Sequence, residues 1–354
     1  MEDCWVSTTS GESLPDRPGK ERKRSSRVVI VAVVLVAVLI VGAVAWLAVQ
    51  IVNNKSEYTA HDPIRIDGNG GFTNASGVVW GSGTESDPYI IEGWDISAST
   101  TYGIDIANTD AHFIVRNCYV HGGGLNYPGI FLGYCTNGIL DCNKCSNNHE
   151  GILLYSSSEN IVSHNTCSSH QSVGIEIEYS SNDNTISNNT CQGNFYGIHV
   201  YMSSDGNTLE NNTCSNNQYG IEIAYTADGN TISNNICNLN DRNGIFFFMN
   251  GNNNMFGNQA CNNTGHGVYI DSGFYNRIWN NTFINNHGTT DTYDPSHVQA
   301  CDNTTSNWWS SLDGYGNYWS DWTGPDANMD GIVDVPYALD GSAGAKDYYP
   351  LATP

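Results

Sequence analysis

The chain has 354 residues, with 13 basic and 36 acidic side chains and a formal net charge of −23 at pH 7. From residue 53 onward it carries 7 basic against 31 acidic residues. A surface this acidic argues against nucleic acid or an anionic lipid face as partner, because both are negatively charged. The length suits one extended domain with appendages.

Residues 28–52 contain no charged side chain. Crossing a bilayer takes about 20 apolar residues. The run is longer than the apolar core of a cleaved signal peptide, and no small-residue cleavage site follows it. Six basic residues lie just before it, which places residues 1–27 in the cytoplasm by the positive-inside rule. The sequence predicts a single-pass transmembrane signal anchor in the plasma membrane, with residues 53–354 outside the cell.

A repeat of about 23 residues fills the middle of the chain. After a recurring glycine, apolar and polar residues alternate, as from Ile175 to Glu178, which is the pattern of a strand with one buried and one exposed face. Two further short strands follow in each unit, separated by Gly, Asn, Asp and Ser as turn residues. The recurring glycines are Gly103, Gly129, Gly151, Gly174, Gly197, Gly220, Gly244 and Gly267. A fixed period of this length is typical of a repeat architecture.

Units this short leave no room for a helix, so each unit is expected to form one coil of a solenoid, with rungs about 4.8 Å apart. The predicted fold is an all-β, right-handed parallel β-helix of about eight or more coils at residues 101–286. Residues 53–100 would form a linker and the first coil. Asparagines at equivalent positions would stack, each amide bonding to the coils above and below. Seven N-x-S/T sequons outside the anchor are compatible with glycosylation, although an Asn- and Thr-rich repeat also produces sequons by chance.

A cysteine recurs in the third strand of the unit, at Cys145, Cys167, Cys191, Cys214, Cys237 and Cys261. The same register places Val120 and Phe283 at the ends of this column, which marks the position as inward and apolar. We therefore interpret the cysteines as small apolar side chains that fill a narrow core. Disulfides between coils and a row of thiolates for a soft metal ion are the alternatives.

The outward residues of the glycine-containing strands form a stripe of aromatic and acidic side chains. Such a stripe suits a sugar, because aromatic rings stack on its apolar faces while carboxylates accept hydrogen bonds from its hydroxyl groups. The candidate ligand-binding residues are Tyr155, Glu176, Glu178, His199, Tyr201, Glu222, Phe246 and Tyr269. Glu176 and Glu222 lie two coils apart, about 9–10 Å, with His199 between them. That spacing is at the upper limit for paired carboxylates of inverting glycosidases, so these three are also catalytic candidates, with ordinary solvated charges as the alternative.

The repeat stops after Phe283, and residues 287–354 are rich in aromatic residues and aspartate. An open β-helix end exposes apolar core and unpaired edges, so we expect this segment to form a cap built on Trp308, Trp309, Trp319 and Trp322. Its motif D-x-N-x-D-G-x-x-D offers oxygens at alternate positions and a glycine for a sharp turn, as Ca²⁺-binding loops do. The candidate Ca²⁺ ligands are Asp326, Asn328, Asp330, the carbonyl of Ile332, and Asp334. A metal-free Asx turn is the alternative.

Three stretches carry a family resemblance: the repeated G-I…N-T-I-x-N-N-x-C units, the opening PIRIDGNGGF…SDPYIIEGWDI and the closing GNYWSDWTGPDANMDGIVDVPYALDG…YYPL. Over residues 60–351 the chain resembles the NosD-like proteins, which have right-handed parallel β-helix repeats (PbH1) and occur on prokaryotic surfaces. The resemblance implies a surface or periplasmic β-helix that binds sugars or serves in adhesion. It also implies a link to copper, because the founding member is associated with copper delivery to nitrous oxide reductase. The sequence itself has no Met- or His-rich copper site.

Three functional hypotheses follow. The first is a membrane-anchored, non-catalytic surface protein that binds carbohydrate or neighbouring envelope components. The second is a polysaccharide hydrolase or lyase that acts through Glu176, His199 and Glu222. The third is a NosD-like copper or metal accessory protein that uses the cysteine column.

Overall fold

The computed structural model describes residues 58–290 and 292–354, so the predicted membrane segment at 28–52 lies outside the described residues. Within the described part, no helix is long and apolar enough to cross a membrane. The only helices described there are two single turns of 3-10 helix, Asn69–Gly71 and Asn74–Ser76. Everything else in this part is short strands and turns, which confirms the predicted all-β class.

The strands stack into three long sheets that run along a parallel β-solenoid. Sheet 1 holds the strand that follows the recurring glycine, and its ten strands make nine steps along the solenoid. In order they are Ile64–Asp67, Ile104–Thr109, Ile130–Cys135, Ile152–Tyr155, Val173–Glu178, Tyr196–Val200, Tyr219–Ala224, Ile245–Phe248, Val268–Asp271 and Ala300–Asp302.

Sheet 2 and sheet 3 hold the other two strands of each coil. Sheet 2 contains Val78–Trp80, Tyr89–Glu92, Phe113–Arg116, Gly138–Asp141, Ile161–Ser163, Thr185–Ser187, Thr208–Glu210, Thr231–Ser233, Asn254–Phe256 and Arg277–Trp279. Sheet 3 contains Thr59–His61, Trp94–Ser97, Tyr119–His121, Lys144–Ser146, Thr166–Ser168, Thr190–Gln192 and Thr213–Ser215. After a bridge at Ile236, Gln259–Cys261, Thr282–Ile284 and Tyr318–Trp319 follow on the same side. A small antiparallel pair, Tyr337–Ala338 with Lys346–Asp347, lies in the C-terminal segment.

The strands of sheet 1 pair in the register that the repeat predicts. Ile175, Ile198 and Ile221 face one another in successive coils and are fully buried. The glycine before each of them is required by close packing between coils. A Cβ atom on Gly197 would lie 2.4 Å from the carbonyl oxygen of Gly220 in the next coil, so no side chain fits at this position.

Asparagine pairs serve two purposes in the turn between sheet 2 and sheet 3. The first of each pair adopts a left-handed backbone, with φ of 57° at Asn188 and 56° at Asn211, which asparagine tolerates. The second points inward and is buried. The Asn212 amide donates to Asn235 Oδ1 at 3.0 Å, and Asn212 Oδ1 accepts from the Asn189 backbone at 2.9 Å. The ladder runs through Asn143, Asn165, Asn189, Asn212, Asn235, Asn258, Asn281 and Asn317, which confirms the predicted stacking.

Two more inward ladders turn the other corners of the coil. One consists of Asn160, Asn184, Asn207, Asn230, Asn253, Asn276 and Asn307. The other consists of Asn194, Asn217, Asn240, Asn263, Asn286 and Gln299. Buried polar groups are costly unless they are hydrogen-bonded. Each coil supplies partners for the next, and among the described ladder residues only the Asn230 side-chain nitrogen is buried without a partner.

The cysteine column holds five residues. Cys145, Cys167, Cys191 and Cys214 pair in register and are fully buried, and Cys237 continues the column through the Ile236 bridge. The prediction that Cys261 belongs to this column is wrong: Ala260 takes the column position beside Phe283, and Cys261 pairs with Ile284. The interval from Cys237 to Cys261 is 24 residues whereas the strand register there is 23, so Cys261 falls one position past the column. All ten described cysteines are free, and burial of the column supports its interpretation as core packing.

The C-terminal end of the solenoid core is closed by stacked aromatic rings. Trp319 stacks on Phe283 with ring centroids 4.6 Å apart, and on its other side on Tyr337 at 4.2 Å. Trp322 packs edge-on against Tyr337, and Trp309 is also buried. These rings cover the last apolar layer, as expected for a cap.

The prediction that Trp308 belongs to the cap is wrong. It is half exposed and lies outside, with the Arg277 guanidinium over its ring at 4.9 Å. The backbone bridge between Arg277 and Trp308 explains this position, because Trp308 continues an outward column of sheet 2. Sheets 1 and 3 likewise extend beyond residue 286, through Ala300–Asp302 and Tyr318–Trp319.

Asp347 is a fully buried carboxylate in the C-terminal segment. It accepts hydrogen bonds from the backbone of Asn317 at 2.7 Å, from Trp319 Nε1 at 3.0 Å and from the backbone of Tyr349 at 3.0 Å. Burial raises the pKa of Asp347 to about 6, and these hydrogen bonds oppose the rise. Asp347 therefore ties the last residues of the chain to the end of the asparagine ladder.

Candidate functional site

The outward face of sheet 1 brings three predicted site residues together. Glu176, His199 and Glu222 pair in register in three successive coils, as predicted from the repeat. His199 Nδ1 lies 3.2 Å from Glu176 Oε1, and His199 Nε2 lies 3.5 Å from Glu222 Oε2. His199 and Glu222 are only 8% and 6% exposed, so this part of the outward face is shielded from solvent.

These residues line a cleft of about 480 Å³, which we name the Glu222 cleft. Its walls are the aromatic rings of Tyr196, Tyr201, Tyr225, Phe246 and Phe248. Tyr196 and Tyr201 flank His199, with ring centroids 4.8 and 4.9 Å from the imidazole. The cleft therefore combines aromatic walls with carboxylates and an imidazole at its base.

Glu222 is the most buried carboxyl group of the cleft. Burial raises the pKa of Glu222 above its ordinary value, and His199 together with a hydrogen bond from Tyr196 opposes that rise. The same pair affects the tyrosine, because burial and the Glu222 carboxylate raise the pKa of Tyr196. Both groups therefore hold their protons more strongly than they would in water.

Two further carboxyl groups lie beside this cluster. Burial raises the pKa of Glu178 to about 7, with a contribution from Glu176, and His199 acts against it. Burial and Glu176 also raise the pKa of Glu150, although the adjacent His149 lowers it. Glu176, Glu178 and Glu222 thus surround His199, with Glu150 beside Glu176, and the pKa of about 7 lets Glu178 keep its proton up to neutral pH.

The arrangement offers hydrogen-bond acceptors, proton donors and flat apolar rings in one cleft. Acceptors and rings are what a sugar needs, since its hydroxyl groups donate and its ring faces stack. Carboxyl groups that hold protons with different strength are also what acid–base chemistry needs. An anionic sugar is poorly matched, because its own carboxylate would face those of the cluster.

Three predicted ligand-binding residues of the stripe, Tyr155, Glu178 and Tyr269, do not line the Glu222 cleft. Tyr155 packs against Tyr179, with ring centroids 4.7 Å apart, at the side of the stripe toward the N-terminus. Tyr269 accepts a hydrogen bond from Asn303 at 3.0 Å on the side toward the C-terminus. The Glu222 cleft therefore occupies the middle of the predicted stripe.

The predicted Ca²⁺ loop folds as a compact turn in the C-terminal segment. Asp326 accepts hydrogen bonds from the backbone of Asp330 at 3.1 Å and of Gly331 at 3.0 Å. Asp330 accepts from the backbone of Ile332 at 2.9 Å, and Asp334 from that of Ala327 at 2.8 Å. Its carboxylate oxygens thus accept hydrogen bonds from the loop's own backbone, and Ca²⁺ binding there stays a prediction.

The sequence reasoning missed Tyr196 and Tyr225 as cleft residues, and Glu150 as part of the carboxyl cluster. One signal for Tyr196 was present: Tyr196 and Tyr219 precede glycine in consecutive units and pair in register. The sequence held no such signal for Tyr225, because this residue lies in a turn, with φ of 51°. Turn residues of a solenoid do not alternate, so their direction could not be inferred from period-2 patterning.

Two family models match the sequence. One, described as right handed β-helix region, matches residues 40–214, and the other, described as periplasmic copper-binding protein (NosD), matches residues 168–324. Over residues 40–324 the chain is thus similar to NosD-like β-helix repeat proteins. No curated protein matches this NosD-like chain in sequence.

Solved structures resemble the NosD-like protein in fold. The A-module of mannuronan C-5 epimerase AlgE4 from Azotobacter vinelandii aligns with a TM-score of 0.51 at 14% identity, over 61% of this chain and 64% of that one. A double mutant of the periplasmic alginate epimerase AlgG aligns with a TM-score of 0.50 at 18% identity, over 56% of this chain and 54% of that one. The NosD-like chain thus spans between half and two-thirds of the length of these structures. At such identities the likeness is one of fold alone.

Proposed function

We propose that this NosD-like protein binds carbohydrate in the Glu222 cleft without altering it. The observation that carries the proposal is the cleft itself, where aromatic walls enclose Glu176, His199 and Glu222. A shielded base strengthens hydrogen bonds to sugar hydroxyl groups, because water competes less there. The part of the chain outside the predicted anchor would serve adhesion or hold neighbouring envelope components.

The carboxyl cluster favours a neutral sugar or an amino sugar over a uronic acid. Glu176, Glu178 and Glu222 face the same region, and the whole chain has a net charge of −23. A polyanion would meet repulsion both at the cleft and at long range. An ammonium or hydroxyl group would instead find acceptors.

The binding test uses full-length protein on a glycan array of neutral, amino-sugar and uronate oligosaccharides. We expect neutral or amino sugars to be retained and uronates to be rejected. Phe246→Ala removes a wall of the cleft and should abolish retention. Phe274→Ala removes an exposed aromatic ring outside the cleft and is the matched control. Equal retention by both variants would remove the Glu222 cleft from the proposal.

We further propose that residues 28–52 anchor the protein in the plasma membrane, with residues 53–354 outside. Support comes from the uncharged run and the basic residues before it. In intact cells, antibody should label a tag after residue 354 without permeabilisation, and a tag before residue 1 only after it. The opposite labelling, or recovery of the chain in the soluble fraction, would contradict the anchor.

Cleavage of a polysaccharide, by hydrolysis or by the elimination reaction of a lyase, is a second candidate function. It is favoured by Glu222, whose pKa is raised by burial as in a general acid, and by Glu176 across His199. Reducing-sugar release from oligosaccharides retained on the array tests it, with Glu222→Gln as the variant. Release by the wild-type protein that disappears in Glu222→Gln would establish catalysis. Binding by both proteins with release by neither would leave the non-catalytic role.

A further inference from the structure

A second group of polar side chains lies at the C-terminal end of sheet 1's outward face, away from the Glu222 cleft. Cys301 pairs in register with Tyr269, and a backbone bridge joins Cys301 to Asp340 of the C-terminal segment. His266 stands just before the strand Val268–Asp271. Three chain segments far apart in sequence therefore bring a histidine, a cysteine and an aspartate to one place.

The three side chains present one donor atom each to a common point. The nitrogen, sulfur and oxygen atoms of His266, Cys301 and Asp340 all lie within 4.8 Å of one another. His266 Nε2 is 3.7 Å from Asp340 Oδ2, beyond hydrogen-bonding distance. The atoms are thus close enough to share an ion, while the imidazole and the carboxylate do not satisfy each other.

The imidazole of His266 lacks a hydrogen-bond partner in this position. The residue is 9% exposed, and its Nε2 is buried without a hydrogen-bond partner in the part of the chain that the structure describes. The ring stacks on His287 at 4.1 Å, and His287 Nδ1 is likewise buried and unpaired. Leaving a buried polar group unpaired costs roughly 1–3 kcal/mol, so such a group calls for a partner.

We propose that His266, Cys301 and Asp340 bind one transition-metal ion of zinc type. Zinc accepts imidazole nitrogen, thiolate sulfur and carboxylate oxygen together, and three protein ligands leave one coordination position open. On binding, the Cys301 thiol gives its proton to solvent, and no electron is transferred. The side chain of Asp340 is 51% exposed, which gives the ion a path from solvent.

A second donor group provides the contrast. Asp141, Cys142 and His164 also lie close enough together to share an ion, but Cys142 and His164 are exposed. His164 Nδ1 already makes a hydrogen bond with Asp141 at 2.9 Å. Among the residues that the structure describes, none of this group has a buried side-chain atom without a hydrogen-bond partner. It therefore supplies a control of the same residue types.

The test measures zinc bound to full-length protein after gel filtration, and then cobalt(II) absorption in the same samples. We expect about one equivalent of tightly bound zinc and cobalt bands of a thiolate-containing site. Cys301→Ser and Asp340→Asn should each lower zinc affinity at least tenfold, while Cys142→Ser should not. Asp340→Asn changes a half-exposed side chain, so it keeps the test valid if Cys301→Ser fails to fold.

Three results would overturn the proposal. They are an absence of tightly bound zinc, zinc that is lost in Cys142→Ser instead, and cobalt bands that persist in folded Cys301→Ser. Circular dichroism of each metal-free variant shows whether it is folded. This inference does not depend on carbohydrate binding, because the Glu222 cleft shares none of the three residues.

Discussion

Gly197 and Gly220 lie in successive coils so close together that a Cβ atom on Gly197 would stand 2.4 Å from the Gly220 carbonyl oxygen. Real Cβ contacts do not reach that distance, and the obstacle is backbone, which cannot rotate away. The same close approach recurs at Gly151, Gly174 and Gly220. The spacing of the coils therefore requires glycine at this position of each of these units.

Gly197→Ala is expected to destabilise the protein. The added methyl group has no space, and overpacking of this kind costs roughly 1–3 kcal/mol. Gly70→Ala is the control, because a Cβ atom there meets nothing within 4 Å. Chemical unfolding followed by circular dichroism measures both. An unchanged midpoint for Gly197→Ala would show that the coils can separate at low cost.

Asn212→Ala is expected to destabilise the protein by roughly 2–4 kcal/mol, because several buried partners lose their hydrogen bonds at once. These include the backbone of Asn189 and the carbonyl oxygen of Ile186. Asn211→Gly is the neighbouring control: its side chain is exposed, and its φ of 56° suits glycine. Thermal unfolding compares the two variants. Equal losses of stability would mean that the ladder adds nothing beyond the turn.

The fold could be predicted because side chains in each strand of the repeat point alternately into the core and out to the surface. Ile175, Ile198 and Ile221 are inward, and Glu176, His199 and Glu222 outward, as that alternation requires. Cys261 shows the limit: the coil keeps its 23-residue register, but Ala260 stands at the column position and the cysteine comes one residue later. The depth of the cleft could not be predicted either, because the turn residue Tyr225 and the position of Tyr196 depend on how the turns pack.

The stability of the C-terminal segment should fall as pH rises from about 4 to about 6. The ordinary pKa of an aspartate here is 3.8, and burial raises that of Asp347 to about 6 in the folded state. The folded state therefore binds the proton more tightly. This contribution is complete below pH 3.8 and is lost as pH passes through about 6.

Replacement of the carboxyl group isolates this effect from the other titrating groups. Asp347→Asn cannot ionise at this position, so it should lose less stability than the wild-type protein between pH 4 and pH 7. Tryptophan fluorescence during denaturant unfolding follows the segment, because Trp319 donates a hydrogen bond to Asp347. If the stability of the two proteins changed with pH in the same way, the proposed role of Asp347 would be contradicted.

Affinity for sugar should depend on the aromatic walls of the Glu222 cleft. For an oligosaccharide retained on the array, we expect Tyr201→Ala to weaken binding roughly tenfold, about 1.4 kcal/mol, through loss of ring stacking. Tyr134→Ala, at an exposed tyrosine outside the cleft, should bind as the wild type does. Isothermal titration calorimetry measures both. A larger loss of sugar affinity in Tyr134→Ala than in Tyr201→Ala would indicate that the sugar binds nearer to Tyr134, outside the Glu222 cleft.

Calcium should stabilise the loop at residues 326–334 if its oxygens bind the ion. An ion that binds only the folded state adds about 2.7 kcal/mol at a hundredfold excess over Kd. Thermal unfolding with and without millimolar CaCl2 measures the effect. Asp330→Asn should remove it, and Asp313→Asn, outside the motif, should retain it. The same melting temperature with and without calcium would indicate the metal-free Asx turn.

The asparagine ladders give the molecule modular length. Each rung draws its partners only from the rungs beside it, so a whole unit, such as the one from Gly220 to Gly244, could be duplicated or excised between equivalent points. Such an edit would leave both ends chemically unchanged. It would alter only how far apart they stand, in increments of about 4.8 Å.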